Sequence, residues 1–207
     1  MNKKYDYKNI SSDYDDISNK YKWHAPEIVF GLLYDYIQVG TKLLDIGIGT
    51  GICSQRFYKE GVEIFGLDNS EELLSICKAK NISENLLFCD LINDEIPFPN
   101  HSFDYMICCG VLLFFSDLSL IFKKVNEKLK KGGFFVFTIL ENHINDDSIY
   151  KENVNETIVY RHNIKYIDKL MQEMNLIEMT TIEFLTFKDI ETKEKHIVKL
   201  LMMKKMK

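Results

Sequence analysis

Three glycines at alternate positions, Gly47, Gly49 and Gly51, follow the short apolar run Lys42-Leu43-Leu44-Asp45-Ile46. Glycines so spaced between a strand and a helix permit a tight turn and let a ligand lie against bare main chain. Two phosphate-binding patterns do not fit here. A dinucleotide turn G-x-G-x-x-G/A counted from Gly47 puts Ile52 in its last place. A phosphate loop needs a Lys-Ser or Lys-Thr pair that does not follow. A plain strand–helix turn stays open as the alternative. Asp45 at the strand end is awkward beside a pyrophosphate and suits a ligand that carries an ammonium group.

Two further aspartates stand where later strands end. Asp68 lies 17 positions after Gly51, where the chain is expected to return beside the first strand. An ionised carboxylate there can accept two hydrogen bonds from a vicinal ribose diol. The alternative, a cap for the next helix, is already filled by Ser70. Asp90 could accept from an adenine exocyclic amine while Leu91 packs on the ring, although an aspartate after a strand is equally a turn former.

The elements that must position these residues alternate in period. Val29, Leu32, Leu33 and Tyr36 follow helical spacing after Pro26, and Gly40 closes that segment. Residues 42–46, 62–67, 85–89, 103–109 and 134–139 read as strands. Helices are expected at about 50–60, from Ser70, from Ser116 or Asp117 to the Lys130-Lys131-Gly132 stop, and over Ile164–Met174, ending at Asn175. Residues 141–161 are polar and carry no clear pattern. Stretches 176–187 and 196–203, separated by the charged turn KDIETKEK, read as a final antiparallel hairpin. Such alternation predicts an open α/β sheet, with ligands bound beyond the carboxyl ends of its strands.

Composition bounds the rest. The chain has 207 residues, 46% hydrophobic and 28% charged, which suits one compact domain with a terminal extension. Its longest apolar stretch, 106–115, is too short to span a bilayer. The first residues lack a secretory h-region, so membrane insertion and export are not expected and a cytoplasmic location is. A net charge of −5 argues against a broad nucleic-acid-binding surface. The five cysteines, Cys53, Cys77, Cys89, Cys108 and Cys109, form no C-x2-C pair and read as small core hydrophobes. No metal site is expected.

Residues 43–51 (LLDIGIGTG) resemble the first motif of the class I S-adenosylmethionine (SAM)-dependent methyltransferases. Asp68 resembles that family's acidic ribose-binding position. IPFPNHSFDYMICCGVLLFF (96–115) is similar to the stretch into and through its fourth strand, and LKKGGFFVFTIL (129–140) to its fifth. The order is kept across residues 40–140, with the closing hairpin in place. The PFPN-x-SFD signature especially resembles the ubiquinone/menaquinone-type branch of small-molecule methyltransferases. The resemblance implies a Rossmann-like, mostly parallel sheet with a C-terminal antiparallel hairpin and helices on both faces. It further implies SAM as cofactor, with a domain over 26–207, a lid over 1–25 and an acceptor-site cover over 140–162.

Carried over position by position, the resemblance puts Asp45 and the backbone of Gly47, Ile48, Gly49, Thr50 and Gly51 around the methionine end of SAM. Asp68 and Asn69 would hold and flank the ribose, and Asp90 and Leu91 would frame adenine. Cys109, Gly110 and Val111 would line the side facing the sulfonium, while Tyr14 and Tyr21 would fold over the cofactor. The acceptor, a small molecule, would meet Trp23, His24, Phe114 and Arg161.

Many relatives have histidines after the fourth strand, where this chain reads Val111-Leu112-Leu113-Phe114-Phe115. The apolar run suits an anionic acceptor, whose attack on a sulfonium annihilates charge. A neutral acceptor would need a base. Of His24, His101, His143, His162 and His196, the first choice is His162, beside Arg161. A non-catalytic SAM-binding regulatory protein and a nicotinamide-dependent oxidoreductase are the competing classes. Ile52 and the absence of a second nucleotide-binding half disfavour the oxidoreductase. The acceptor and the oligomeric state have no recognisable code.

Overall fold

The computed structural model describes residues 13–143, 149–154, 157–187, 193 and 195–206. The chain opens with two helices, α1 (Tyr14–Lys20) and α2 (Ala25–Leu33). Strand β1 (Lys42–Ile46), helix α3 (Gln55–Lys59), β2 (Glu63–Asp68), α4 (Glu71–Ala79) and β3 (Asn85–Phe88) follow, then β4 (Phe103–Cys108), α5 (Ser119–Lys128) and β5 (Leu129–Glu141). The chain then forms β6 (Ile149–Val154), β7 (Thr157–His162), α6 (Ile164–Glu173), β8 (Leu176–Phe187) and β9 (Lys195–Lys205).

The sheet runs β3-β2-β1-β4-β5, all parallel. The β8–β9 hairpin is antiparallel and joins through β9 to β5. Period-2 alternation gives the sheet two apolar faces. Leu44, Ile46, Met106 and Phe135 pack with α5 and α6, while Leu43, Ile64, Ile107 and Val136 pack with α2, α3 and α4. This is the doubly covered, mostly parallel sheet expected from the alternating pattern. Strand order reverses between β1 and β4, which opens a crevice at their carboxyl ends. Among the described residues no helix is long and apolar enough to cross a membrane.

Several expected boundaries move, each for a local reason. The helix expected at about 50–60 begins only at Gln55, because Gly51 has φ +81 and its N–H donates to the Ile48 carbonyl in a turn. Helix α5 starts at Ser119 instead of Ser116 or Asp117, where the Asp117 carboxylate accepts from the Ser119 N–H at 2.9 Å. It stops at Lys128, not at Gly132, because Leu129 is already extended and pairs with Phe103. Residues 130–133 therefore lie within β5.

The largest correction concerns residues 141–161, read as patternless. Strands β6 and β7 form an antiparallel hairpin there. Leu140 pairs with Val198 of β9 on one edge of β5 and with Arg161 of β7 on the other. Strand β7 thus occupies the edge that β4 leaves at Cys108, and its Thr157 end reaches over the crevice. Of the turn KDIETKEK, only Lys193 and Lys195 lie within the described residues.

Candidate functional site

The glycine turn is fixed before any ligand arrives. Gly47 and Ile48 donate from their backbone N–H groups to the Leu67 carbonyl at 2.7 and 3.0 Å, so the turn leans on β2. Gly47 has φ +75, and a Cβ there would fall 2.2 Å from a methyl of Val111. Only a bare α-carbon lets β1 and the segment after β4 approach so closely.

Asp68 sits at the end of β2 and is 8% exposed. One carboxylate oxygen accepts from Gly49 N–H at 2.8 Å and the other from Ser70 N–H at 2.9 Å. These charge-assisted bonds set the plane of a carboxylate at the cavity wall. Ser70 accepts from the Leu73 N–H at 3.2 Å and caps α4. Behind the turn, Asp45 is 2% exposed and accepts from the Ser54 hydroxyl at 2.6 Å. Burial pushes its carboxyl up to about 7; the Ser54 bond opposes this and the nearby charge of Asp68 adds to it.

After β3 the chain folds around Asp90, whose carboxylate accepts from the Ile92 N–H at 2.9 Å and the Asn93 side chain at 3.0 Å. The turn-forming role weighed for Asp90 is thus present in the structure, and its side chain lines the crevice as well. Lys124 of α5, 3% exposed, reaches under this loop and donates to the carbonyls of Leu91 (2.9 Å) and Asp94 (2.7 Å). Lys124→Met keeps the aliphatic stem but leaves two carbonyls without that donor, each worth about 1–3 kcal/mol. The variant is expected to unfold at lower denaturant concentration, and an unchanged midpoint would show that the ammonium contributes nothing there.

These elements enclose a cavity of about 740 Å³ at the carboxyl ends of β1, β2 and β4. Gly47, Gly49, Asp68, Asn69, Asp90 and Leu91 line one part of it. Cys109, Gly110, Val111, Phe114 and Phe115 line another, with Tyr14 from α1 and Thr157 and Ile158 from β7. Its described lining holds two carboxylates and no lysine, arginine or histidine. That charge balance suits a cationic ligand and leaves a pyrophosphate without a side-chain counter-charge.

Residues 44–137 match the family described as "Methyltransferase domain". Demethylmenaquinone methyltransferase from Staphylococcus haemolyticus is 32% identical over 138 residues, covering 63% of this chain and 57% of that protein. Over this central region the chain is similar to methyltransferase domains. A second relative, the biotin biosynthesis bifunctional protein BioHC of Saccharophagus degradans, is 23% identical over 65% of this chain and 24% of its own length. The chain thus spans between a quarter and just over half of these curated relatives. In fold it resembles a SAM-dependent methyltransferase from Methanosarcina mazei, with TM-score 0.69 and 17% identity over 84% of this chain and 97% of that one. It also resembles phosphoethanolamine N-methyltransferase 2 of Haemonchus contortus, solved with SAM, with TM-score 0.64 and 18% identity over 82% of this chain and 50% of that one.

Not every residue that the methyltransferase resemblance singled out meets the cavity. Asp45 stands behind the turn, and Ile48, Thr50 and Gly51 lie within it, shaping it without lining the space. Trp23 packs against Gly110 and on Phe184, with ring centroids 5.6 Å apart, so it backs the wall. Tyr21 gives its carbonyl to the Thr186 hydroxyl, and His24 is exposed ahead of α2. Neither lines the cavity, nor does Arg161, whose Nε is paired with Glu152 at 2.8 Å.

His162 is corrected most. It is fully buried, and its Nε2 lies 3.0 Å from the Phe115 carbonyl, which places the ring proton on Nε2. Burial pulls its pKa below the ordinary imidazole value, against the raising effect of the Phe115 and Ser116 backbone. A side chain with no face on the cavity cannot take a proton from a molecule inside it. His162 instead anchors the backbone of a cavity-lining phenylalanine.

Sequence reasoning missed Leu67, Leu73, Cys89, Ile92 and Asn93, which lie close along the chain to residues it named, whereas Phe115 belongs to the apolar run it had singled out. It missed Thr157 and Ile158 for a different reason, since their strand was not recognised at all. The β-branched run Thr157-Ile158-Val159 was the available signal.

Proposed function

We propose that this chain is a methyltransferase that binds SAM in the 740 Å³ cavity and methylates a small acceptor with an apolar or aromatic body. The carrying observation is the lining itself: bare glycine backbone, two carboxylates and no described cationic side chain at the switch point of the sheet. Bound SAM supplies a methyl group already activated on a positively charged sulfur.

The chain's own residues do the rest. Asp68 holds the ribose hydroxyls, with Asn69 beside it. Asp90 and Leu91 frame the adenine, and the backbone of Gly47 and Gly49 faces the methionine portion. The Gly110 N–H donates to the buried Thr138 hydroxyl at 2.8 Å, which fixes the backbone where β4 ends. Val111, Phe114, Phe115 and Ile158 form an apolar wall that excludes water and orients the acceptor. Proximity and alignment of this kind are worth up to about 7–11 kcal/mol. No described side chain on that wall is a histidine, lysine or glutamate, so the favoured acceptor brings its own nucleophile: a thiol or an acidic phenol, ionised near neutral pH.

Residues 13–25 serve as the described part of the lid, and β6–β7 as the acceptor cover. Five free thiols fit a reducing compartment such as the cytoplasm. The test is turnover of SAM to S-adenosylhomocysteine (SAH) with a panel of aromatic thiols and phenols. Methylated product from that panel supports the reading. Tight SAM binding with no turnover on any acceptor would favour a regulatory SAM-binding protein instead.

A further inference from the structure

We propose that Asp15 is a positioning residue, a latch that holds α1 over the cofactor cavity and governs how fast SAH leaves. The inference rests on the SAM reading of that cavity. It begins from two hydrogen bonds that join three separate elements. The Asp15 carboxylate accepts from the Thr50 hydroxyl at 2.6 Å and from the Lys80 ammonium at 2.6 Å. Thr50 lies in the glycine turn and is 1% exposed, and Lys80 caps the end of α4. One carboxylate therefore ties the first helix to the turn after β1 and to the helix after β2.

Helix α1 has seven residues, too few to persist without tertiary support. Its two ends are held differently. At the carboxyl end the Tyr21 carbonyl accepts from Thr186, and Trp23 lies between Gly110 and Phe184. Lys22, with φ +55, makes the bend there. At the amino end the hold is ionic and partly open to water, with the Asp15 and Lys80 side chains 43% and 22% exposed. An ionic contact of that kind breaks more readily than the packed aromatic one. Tyr14, next to Asp15, lines the cavity, so releasing Asp15 and pivoting α1 about Lys22 removes one wall.

The experiment is stopped-flow release of SAH from the intact chain, followed by the fluorescence of Trp23, its single tryptophan. Asp15→Ala is expected to speed release about tenfold, since it removes two bonds to a carboxylate that is 43% exposed and therefore screened by water. Lys80→Met should speed it about threefold, the usual worth of a half-exposed pair. Raising the salt concentration should accelerate release from the wild type but not from either variant. The double variant should match Asp15→Ala, because both changes act through one carboxylate. Glu27→Ala, which removes the exposed 3.1 Å pair with Arg56, should leave release unchanged.

If the wild type binds SAH and Lys80→Met and Asp15→Ala release it at the wild-type rate, the latch is overturned while the cofactor reading stands. If the wild type does not bind SAH, both fall together.

Discussion

Asp68→Ala is expected to weaken SAH binding by about a hundredfold or more. The carboxylate has two tasks at once. It holds the Gly49 and Ser70 backbone N–H groups at 2.8 and 2.9 Å, and in the proposed complex it receives the ribose hydroxyls. Hydrogen bonds to a charged group contribute about 1.5–3 kcal/mol each, so losing more than one exceeds a hundredfold. Asp68→Asn should fall between the two, because its single carbonyl oxygen still accepts from Gly49 while its amide turns a donor toward the Ser70 N–H. Calorimetric titration of both variants with SAH checks this, and wild-type affinity in Asp68→Ala would remove the ribose assignment.

A second large effect is expected in the pH dependence of stability. In the unfolded chain Asp45 ionises near 3.8, whereas in the folded protein burial holds its proton up to about 7. Below pH 4 it is neutral in both states and contributes nothing to the slope. Between these values only the unfolded chain loses the proton, so stability falls as pH rises. Above about pH 7 the loss is complete. It amounts to about 4 kcal/mol, since each tenfold change in proton affinity is worth about 1.36 kcal/mol. Asp45→Asn keeps an acceptor for the Ser54 hydroxyl and carries no charge. The variant should therefore be more stable than the wild type at pH 8, with a flatter profile between pH 4 and 7. Urea unfolding at several pH values measures this, and parallel profiles for the two proteins would contradict it.

Where local pattern and tertiary placement agree, the fold is legible from the chain alone. The run of residues 42–46 has both faces of a parallel sheet to fill, and it does so with Leu44 on one and Leu43 on the other. Ser70 announces its helix because a side-chain cap is a property of a few neighbouring residues. The β6–β7 hairpin is different. No residue of β6 is fully buried, and the pair between the strands, Asn155-Glu156, is not an Asn-Gly or Asp-Gly turn. Its position comes from the edge that β4 vacates at Cys108, a fact of the sheet that no short segment encodes.

The site divides along the same line. Residues at strand ends, such as Asp68, Asp90 and Gly110, follow from the rule that ligands sit beyond the carboxyl ends of parallel strands. Residues that brace the cavity's walls from distant elements do not. Lys124 looks like any charged position on an amphipathic helix until its ammonium is found under the Leu91 and Asp94 carbonyls. Asp15 looks like one more acid in a polar opening segment until Thr50 and Lys80 are found beside it. His162 misled in the opposite direction. Arg161 beside it helped make His162 the first choice for a base, but His162 is fully buried and Arg161 pairs with Glu152.

Titration calorimetry of the wild-type protein with SAM, SAH and NADH in turn tests the central claim most directly. A cavity lined by bare glycine backbone and two carboxylates predicts one site per chain for SAM and for SAH, and none for NADH. Absence of binding heat from both sulfur compounds at millimolar concentration, or saturable binding of NADH in the same cavity, would contradict it.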